Sequence, residues 1–230
     1  MKLLSLGNTN AKTAKSDALG TEYLTAILYL APYNTAGLFN VCPKSSEGCR
    51  KACLFTAGRG VFHNVQQARV KKTQWYFNDK AGFLSQLADD IHKFKKKCAK
   101  LGKKPAVRLN GTSDILWENT GLMSLFPDVQ FYDYTKIAQR LSRPLPANYH
   151  LTFSLHENNL TEATAILEKG LGNIAVVFHG SIPAQFLNRE VISGDDHDLR
   201  FLDKKGVVIG LTAKGKAKKD TTGFVVKSCQ

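Results

Sequence analysis

Six short apolar runs, with helical stretches between many of them, limit what this chain can fold into more than any other feature. They run from Leu24 to Ala31, Ala106 to Asn110, Val129 to Asp133, His150 to Ser154, Ile174 to Phe178 and Val207 to Leu211. Each is of strand length and rich in β-branched or aromatic residues. Between them, Leu84, Leu87, Ile91, Phe94, Cys98 and Leu101 follow three- and four-residue steps, which predicts a helix over 82–101 with one apolar stripe. Two further helices are expected over 61–77 and 160–169, the last stopped by Gly170. Strands separated by helices are expected to form an α/β fold: a largely parallel sheet of six strands with helical crossovers, wound into a partial, TIM-like barrel.

A chain of 230 residues buries a full core, and one α/β domain over 21–230 is expected, preceded by a loosely ordered segment over 1–20. The first residues offer no signal-peptide apolar region, and no apolar run is long enough to cross a bilayer. A cytoplasmic protein with no membrane partner is therefore expected.

In such folds the loops after the C-terminal ends of the strands carry the site. The loop after the first run holds Cys42, Cys49 and Cys53 within residues 40–60, three of the five cysteines. Thiols grouped this closely in a reducing compartment read first as metal ligands. Structural zinc takes four protein ligands, and only three are supplied locally, with His63 as the nearest further candidate. Three thiolates suit a 4Fe-4S cluster with one iron left open. An iron–sulfur cluster is the favoured reading; zinc and free thiols stay open. Arg50 and Lys51 are expected to lower the thiol pKa values. Cys98 lies on the apolar stripe of a helix and is expected to be a core thiol. Cys229, next to last in the chain, is a candidate fourth ligand if the tail folds back.

Polar residues gather at the other strand ends. Asn110, Ser113 and Asp114 follow the second run, and Asp133, Tyr134 and Lys136 end the third. Ser154 and His156 end the fourth, His179 the fifth and Lys214 the sixth. On a parallel sheet these groups share the cysteines' side and can line a pocket, with Asp133 and Lys136 as candidates for proton transfer. The alternative is that Asp114, Asp133 and Lys136 cap turns and pair charges. Gly194-Asp195-Asp196-His197-Asp198 lacks the spaced ligands of a calcium loop and reads as a turn capped by Asp side chains. Gly58-Arg59-Gly60 is too short for a phosphate loop.

The net charge of +13 favours polyanionic partners, in particular non-specific nucleic acid, against the alternative of a solvated surface. Lys95, Lys96 and Lys97 are the candidate contacts; a second basic group runs from Lys214 to Lys219.

Cys42, Cys49 and Cys53 with Leu54-Phe-Thr-Ala-Gly58-Arg59-Gly60 resemble the signature of the phage gene product 88 family. Further resembling segments are Arg108 to Asp114, Phe131 to Lys136, Gly194 to Arg200, Gly210 to Gly215 and Gly223 to Val225. The resemblance spans most of the chain and implies a phage or prophage origin, hence the host cytoplasm. It implies no settled activity. A role in phage replication or host takeover, as a cluster- or zinc-stabilised binding protein, is the alternative to an enzyme. A looser resemblance is to radical S-adenosylmethionine enzymes, which place a three-cysteine loop after the first strand of a six-stranded partial barrel. That resemblance implies S-adenosylmethionine as a second cofactor. The spacing departs from theirs, with six and then three intervening residues, and a Gly-Gly-Glu segment after the second strand is missing.

Overall fold

In the computed structural model, which describes residues 1–6, 20–37 and 39–227, all six apolar runs become strands of one sheet. Numbered along the chain, β1 (Leu4–Leu6) is followed by β2 (Tyr23–Leu28), β3 (Lys104–Arg108), β4 (Gln130–Thr135), β5 (Tyr149–Ser154) and β6 (Ile174–His179). Then come β7 (Gln185–Phe186), β8 (Arg189–Ser193), β9 (Val208–Thr212) and β10 (Val226–Lys227). The six expected strands, β2, β3, β4, β5, β6 and β9, lie side by side in chain order, and every pair is parallel.

The described sheet has ten strands rather than six. β1 adds antiparallel to β2, β8 adds parallel to β9, and β7 closes a hairpin on β8. β7 and β10 have two residues each and β1 three, too short for any periodicity to register. β10 pairs with Phe178 and His179 of β6. Because β9 already holds the other edge of β6 at Phe178, β10 continues the edge that β5 leaves after Ala175.

The N-terminal expectation needs revision at its start. Leu3 and Leu4 are buried, and Asp90 Oδ2 accepts the amides of both, at 2.6 and 3.3 Å. Residues 7–19 lie outside the described residues.

The crossovers are helical only in part. β2 and β3 are joined by α1 (Glu47–Lys51), α2 (His63–Asn78) and α3 (Lys80–Lys100), and β5 and β6 by α4 (Leu160–Glu168). The β3–β4 and β4–β5 connections contain only short 3-10 turns, and the β6–β9 connection holds the β7–β8 hairpin followed by the 3-10 turn Arg200–Leu202. Pro144 and Pro146 account for the second of these, since neither fits a helix interior.

α3 presents Phe83, Leu87, Ile91, Phe94 and Cys98 to the core, as a 3.6-residue period demands. Asp79 caps its first turn by accepting the Gly82 amide at 2.9 Å. Leu101 falls just past the helix end and is 56% exposed. These side chains meet Leu28, Val107, Phe131, Phe153 and Val176 from one face of the sheet, each burial contributing about 1.5–3 kcal/mol before entropy costs. α2 is different: its buried positions are Arg69, Thr73 and Tyr76, a largely polar stripe. Thr73 Oγ accepts the Ala31 amide at 2.8 Å and donates to Arg69 O at 2.9 Å, which ties α2 to the segment after β2.

The opposite face of the sheet is packed by the segment after β8. Leu199 and Phe201 meet Tyr23, Ala106 and Tyr132. Asp198, fully buried, accepts from Arg108 Nη1 at 2.9 Å, and Arg200 Nη2 donates to His197 O at 2.6 Å.

Candidate metal centre and cavity

The loops after β2, β3, β4, β5 and β9 meet at the C-terminal ends of their strands around one cavity of about 220 Å³. The cysteine loop forms one wall. Cys42 precedes a turn, Cys49 sits in α1 and Cys53 follows it, and all three line the cavity. α1 starts at Ser46, whose hydroxyl accepts the Cys49 amide at 3.1 Å. Glu157, after β5, clamps that start: its carboxylate accepts from Ser46 Oγ and from Gly48 N, each at 2.7 Å. Gly48 lies so close to the C-terminal segment that a Cβ there would come within 2.1 Å of Thr222 Oγ1 and 2.6 Å of Phe224 Cβ. On the far side, a Cβ at Gly60 would come within 2.4 Å of Phe55 O, so the Gly58–Val61 turn folds tightly under the loop.

The thiols sense one another. Burial pushes Cys42 up to about 12, with an opposing hydrogen bond from the Tyr33 amide (3.3 Å) and further elevation by Cys53 and Cys49. Cys42 Sγ also donates to Thr112 O at 3.6 Å. Burial raises Cys53 too, while the Phe55 amide, Lys136 and Arg69 pull it down. The cations acting on that thiol are thus Lys136 and Arg69. Arg50 and Lys51 are engaged elsewhere, Arg50 on Ser45 O and the Tyr33 ring, Lys51 on Glu47. Among the described residues, no three His, Cys, Asp or Glu side chains are gathered as ligands of one metal ion. His63 is exposed at the start of α2 and does not line the cavity. Cys229 lies outside the described residues. Cys98 is fully buried in the core, as its helix position requires.

Of the strand-end residues, Asn110, Ser113, Asp114, Tyr134, Lys136, Ser154 and Lys214 line the cavity. Several also hold loops in place. Asn110 Oδ1 accepts from Ser113 Oγ, Ile115 N and Trp117 Nε1 at 2.8–3.0 Å. Asp114 pairs with Arg140 at 2.7 Å and accepts the Lys136 amide at 2.8 Å. Lys136 Nζ donates to Ser154 Oγ at 2.8 Å, and the Tyr134 hydroxyl to Asp198 at 3.4 Å.

Asp133, His156 and His179 are not on the cavity wall. Strand alternation explains Asp133: Tyr134 faces the cavity, so its neighbour faces the helices. There it accepts from Asn110 N at 2.6 Å and from the Tyr149 hydroxyl at 2.9 Å, and burial pushes it up to about 7. Tyr149 in turn accepts from Arg140, which also grips Glu118 through two nitrogens. In the Gly194–Asp198 turn the side-chain caps are Ser193 and His197, which accept the Asp195 and Leu199 amides, while Asp195 reaches β9, accepting Thr212 N at 2.9 Å and pairing with Lys214 at the cavity wall.

Three contributors escaped the sequence reading. Arg108 lines the cavity from β3, and a lone arginine inside an apolar run was the available signal. Arg69, 9% exposed and stacked over Tyr29 and Phe55, sits in a helix whose polar stripe hides its buried face. Glu157 has no local signature.

Lys95 pairs with Asp128 at 2.7 Å; with Lys96 and Lys97 it stands near the end of α3, remote from the cavity. No helix among the described residues is long and apolar enough to cross a membrane. No curated protein and no solved structure matches the chain. A family model does, over residues 2–228, so this chain, with its cysteine loop and all ten strands inside the match, belongs to the phage Gene product 88 family.

Proposed function

We propose that the protein is an iron–sulfur protein in which Cys42, Cys49 and Cys53 hold a 4Fe-4S cluster at the mouth of a partial, TIM-like barrel. The observation that carries this reading is the convergence of three thiols from one loop on one cavity, at the C-terminal ends of six parallel strands in chain order. The donor set fits the group. Thiolates are its usual ligands, amide hydrogen bonds reach Cys42 and Cys53, and Lys136 and Arg69 offset negative charge. When bound, such a cluster supplies one-electron chemistry to a molecule on its open iron.

The remaining cavity residues bind and orient that molecule. S-adenosylmethionine is the proposed occupant, on the similarity of strand order to radical-enzyme barrels. Lys136 and Ser154 offer donors to an anionic or polar group, and Val177, Leu211 and Phe224 offer apolar surface. Lys136, at the wall, is the better placed of the two proton-transfer candidates. The test is the paramagnetic resonance spectrum of the reduced, iron-loaded protein with and without S-adenosylmethionine. A changed signal supports this occupant; an unchanged one at saturating concentration removes it.

A further inference from the structure

The cavity mouth carries a charge pattern that the cluster reading does not use. After β9, the 3-10 turn Gly215–Lys219 buries Ala217 against Ala52 of the cysteine loop, and both line the cavity. Gly215 lies against Ala57, so the turn and the cysteine loop share one edge. Lys216, Lys218 and Lys219 therefore stand exposed at the rim, close to the loop that presents Arg50 and Arg59. Among the described residues no carboxylate pairs with any of these three lysines, whereas Lys214 is paired with Asp195 and Lys51 with Glu47. Residues 42–60 and 213–220 together hold eight Lys or Arg against Glu47 and Asp220.

The surroundings discriminate among anionic partners. At about 220 Å³ the cavity is smaller than the roughly 300–1,000 Å³ of drug-sized pockets, so it takes one compact group, such as a nucleoside, at a time. Its apolar walls, Val177, Leu211 and Phe224, suit ring faces, while Lys136, Ser154 and Thr212 suit polar ring edges. A strand of nucleic acid offers both features at once, a repeated phosphate for the basic rim and a flat ring for the cavity.

We propose that this mouth binds single-stranded nucleic acid, with the phosphates tracking over Lys216, Lys218, Lys219 and Arg59 and one base entering the cavity. The proposal rests on that cavity being the functional site, but not on the presence of metal. It also moves the nucleic-acid contacts away from Lys95–Lys97. Those residues precede Lys104, where β3 begins, and Lys95 pairs with Asp128, just before β4. They belong to the N-terminal ends of the strands, opposite the mouth.

The test is fluorescence anisotropy with a labelled oligothymidylate across a salt series, on both iron-free and iron-loaded full-length protein. Replacing three phosphate contacts in K216Q/K218Q/K219Q is expected to make the slope of log affinity against log salt shallower by about 2 and to weaken binding at least tenfold. K95Q/K96Q/K97Q is expected to leave both unchanged. A strand carrying one 2-aminopurine is expected to change its fluorescence on binding. Undetectable binding at low salt, an unaffected rim variant, or an equal loss in the Lys95–Lys97 variant overturns the proposal. So does capture of anionic vesicles without the oligonucleotide, or competition by thymidine monophosphate at equal nucleotide concentration. Binding by iron-free protein upholds it even if iron is never taken up, which separates its failure from that of the cluster reading.

Discussion

Glu157 and Ser46, 111 positions apart in the chain, meet in a 2.7 Å hydrogen bond in which the serine hydroxyl donates to Oε2. The other carboxylate oxygen takes the Gly48 amide at the same distance. One side chain from the loop after β5 thereby fixes the start of the helix that carries Cys49.

Glu157→Ala is expected to keep the fold while loosening the cysteine loop. Loss of its hydrogen bonds costs about 1–2 kcal/mol at this half-buried position. Iron–sulfur reconstitution is expected to fall severalfold, with Glu157→Gln recovering part of it through its remaining acceptor. Burial raises the Glu157 pKa, but the bonds from Ser46 and Gly48 outweigh it and hold the group below the usual glutamate range. The clamp is thus complete above the ordinary glutamate pKa and is lost as pH falls through the depressed value. Iron retention by the Ala variant that matches wild type would remove Glu157 from this role.

Asp133 is expected to shape the pH dependence of stability. Burial lifts it to about 7, so the folded state keeps a proton that the unfolded chain releases near pH 4. Its contribution is greatest in acid and is lost as pH rises through about 7. His150, pulled down to about 4 by burial, opposes this slope, so the informative quantity is the difference between variants. Relative to wild type, Asp133→Asn is expected to gain stability steadily from about pH 4 to about pH 7 and to level off above. Thermal unfolding across that range gives the comparison, and a flat difference would contradict the assignment.

Asp198 and Arg108 form a buried pair on the face of the sheet opposite the helices, at 2.9 Å. Asp198→Ala leaves the arginine charge buried and unpaired, which is expected to cost about 3–5 kcal/mol in denaturant unfolding. Tyr134 donates to the same aspartate, so the cavity wall is expected to loosen with it. A loss under about 1 kcal/mol would show that water reaches the arginine and that the pair does not pin this face.

The parts of the fold and of the site are not equally legible in the sequence. The six parallel strands were readable because each is a full apolar or aromatic run, and the cysteine loop because thiols cluster visibly. The residues that support that loop were not. Arg69 looks like a surface residue in a polar helix, and Glu157 reaches its target only after folding. Asp133 sits at a strand end, which predicts a pocket group; one-residue alternation puts it on the other face. Lys214–Lys219 and Lys95–Lys97 look alike in sequence, yet one follows β9 and the other precedes β3, which places them at opposite ends of the strands. Short edge strands such as β1 and β10 form because partners exist, not because their few residues demand it.

The cysteines themselves give the most direct test. Protein prepared anaerobically and reconstituted is expected to be brown and to hold about four iron and about four acid-labile sulfide per chain. Ser at Cys42, Cys49 or Cys53 is expected to abolish this, while Cys98→Ser keeps the cluster and lowers only thermal stability, since Cys98 is a core residue. Counting iron and sulfide in wild type and these four variants decides the central claim. The account predicts full loading for wild type and Cys98→Ser and loss for the other three; a colourless protein holding one zinc, or loading that ignores the three loop cysteines, would contradict it.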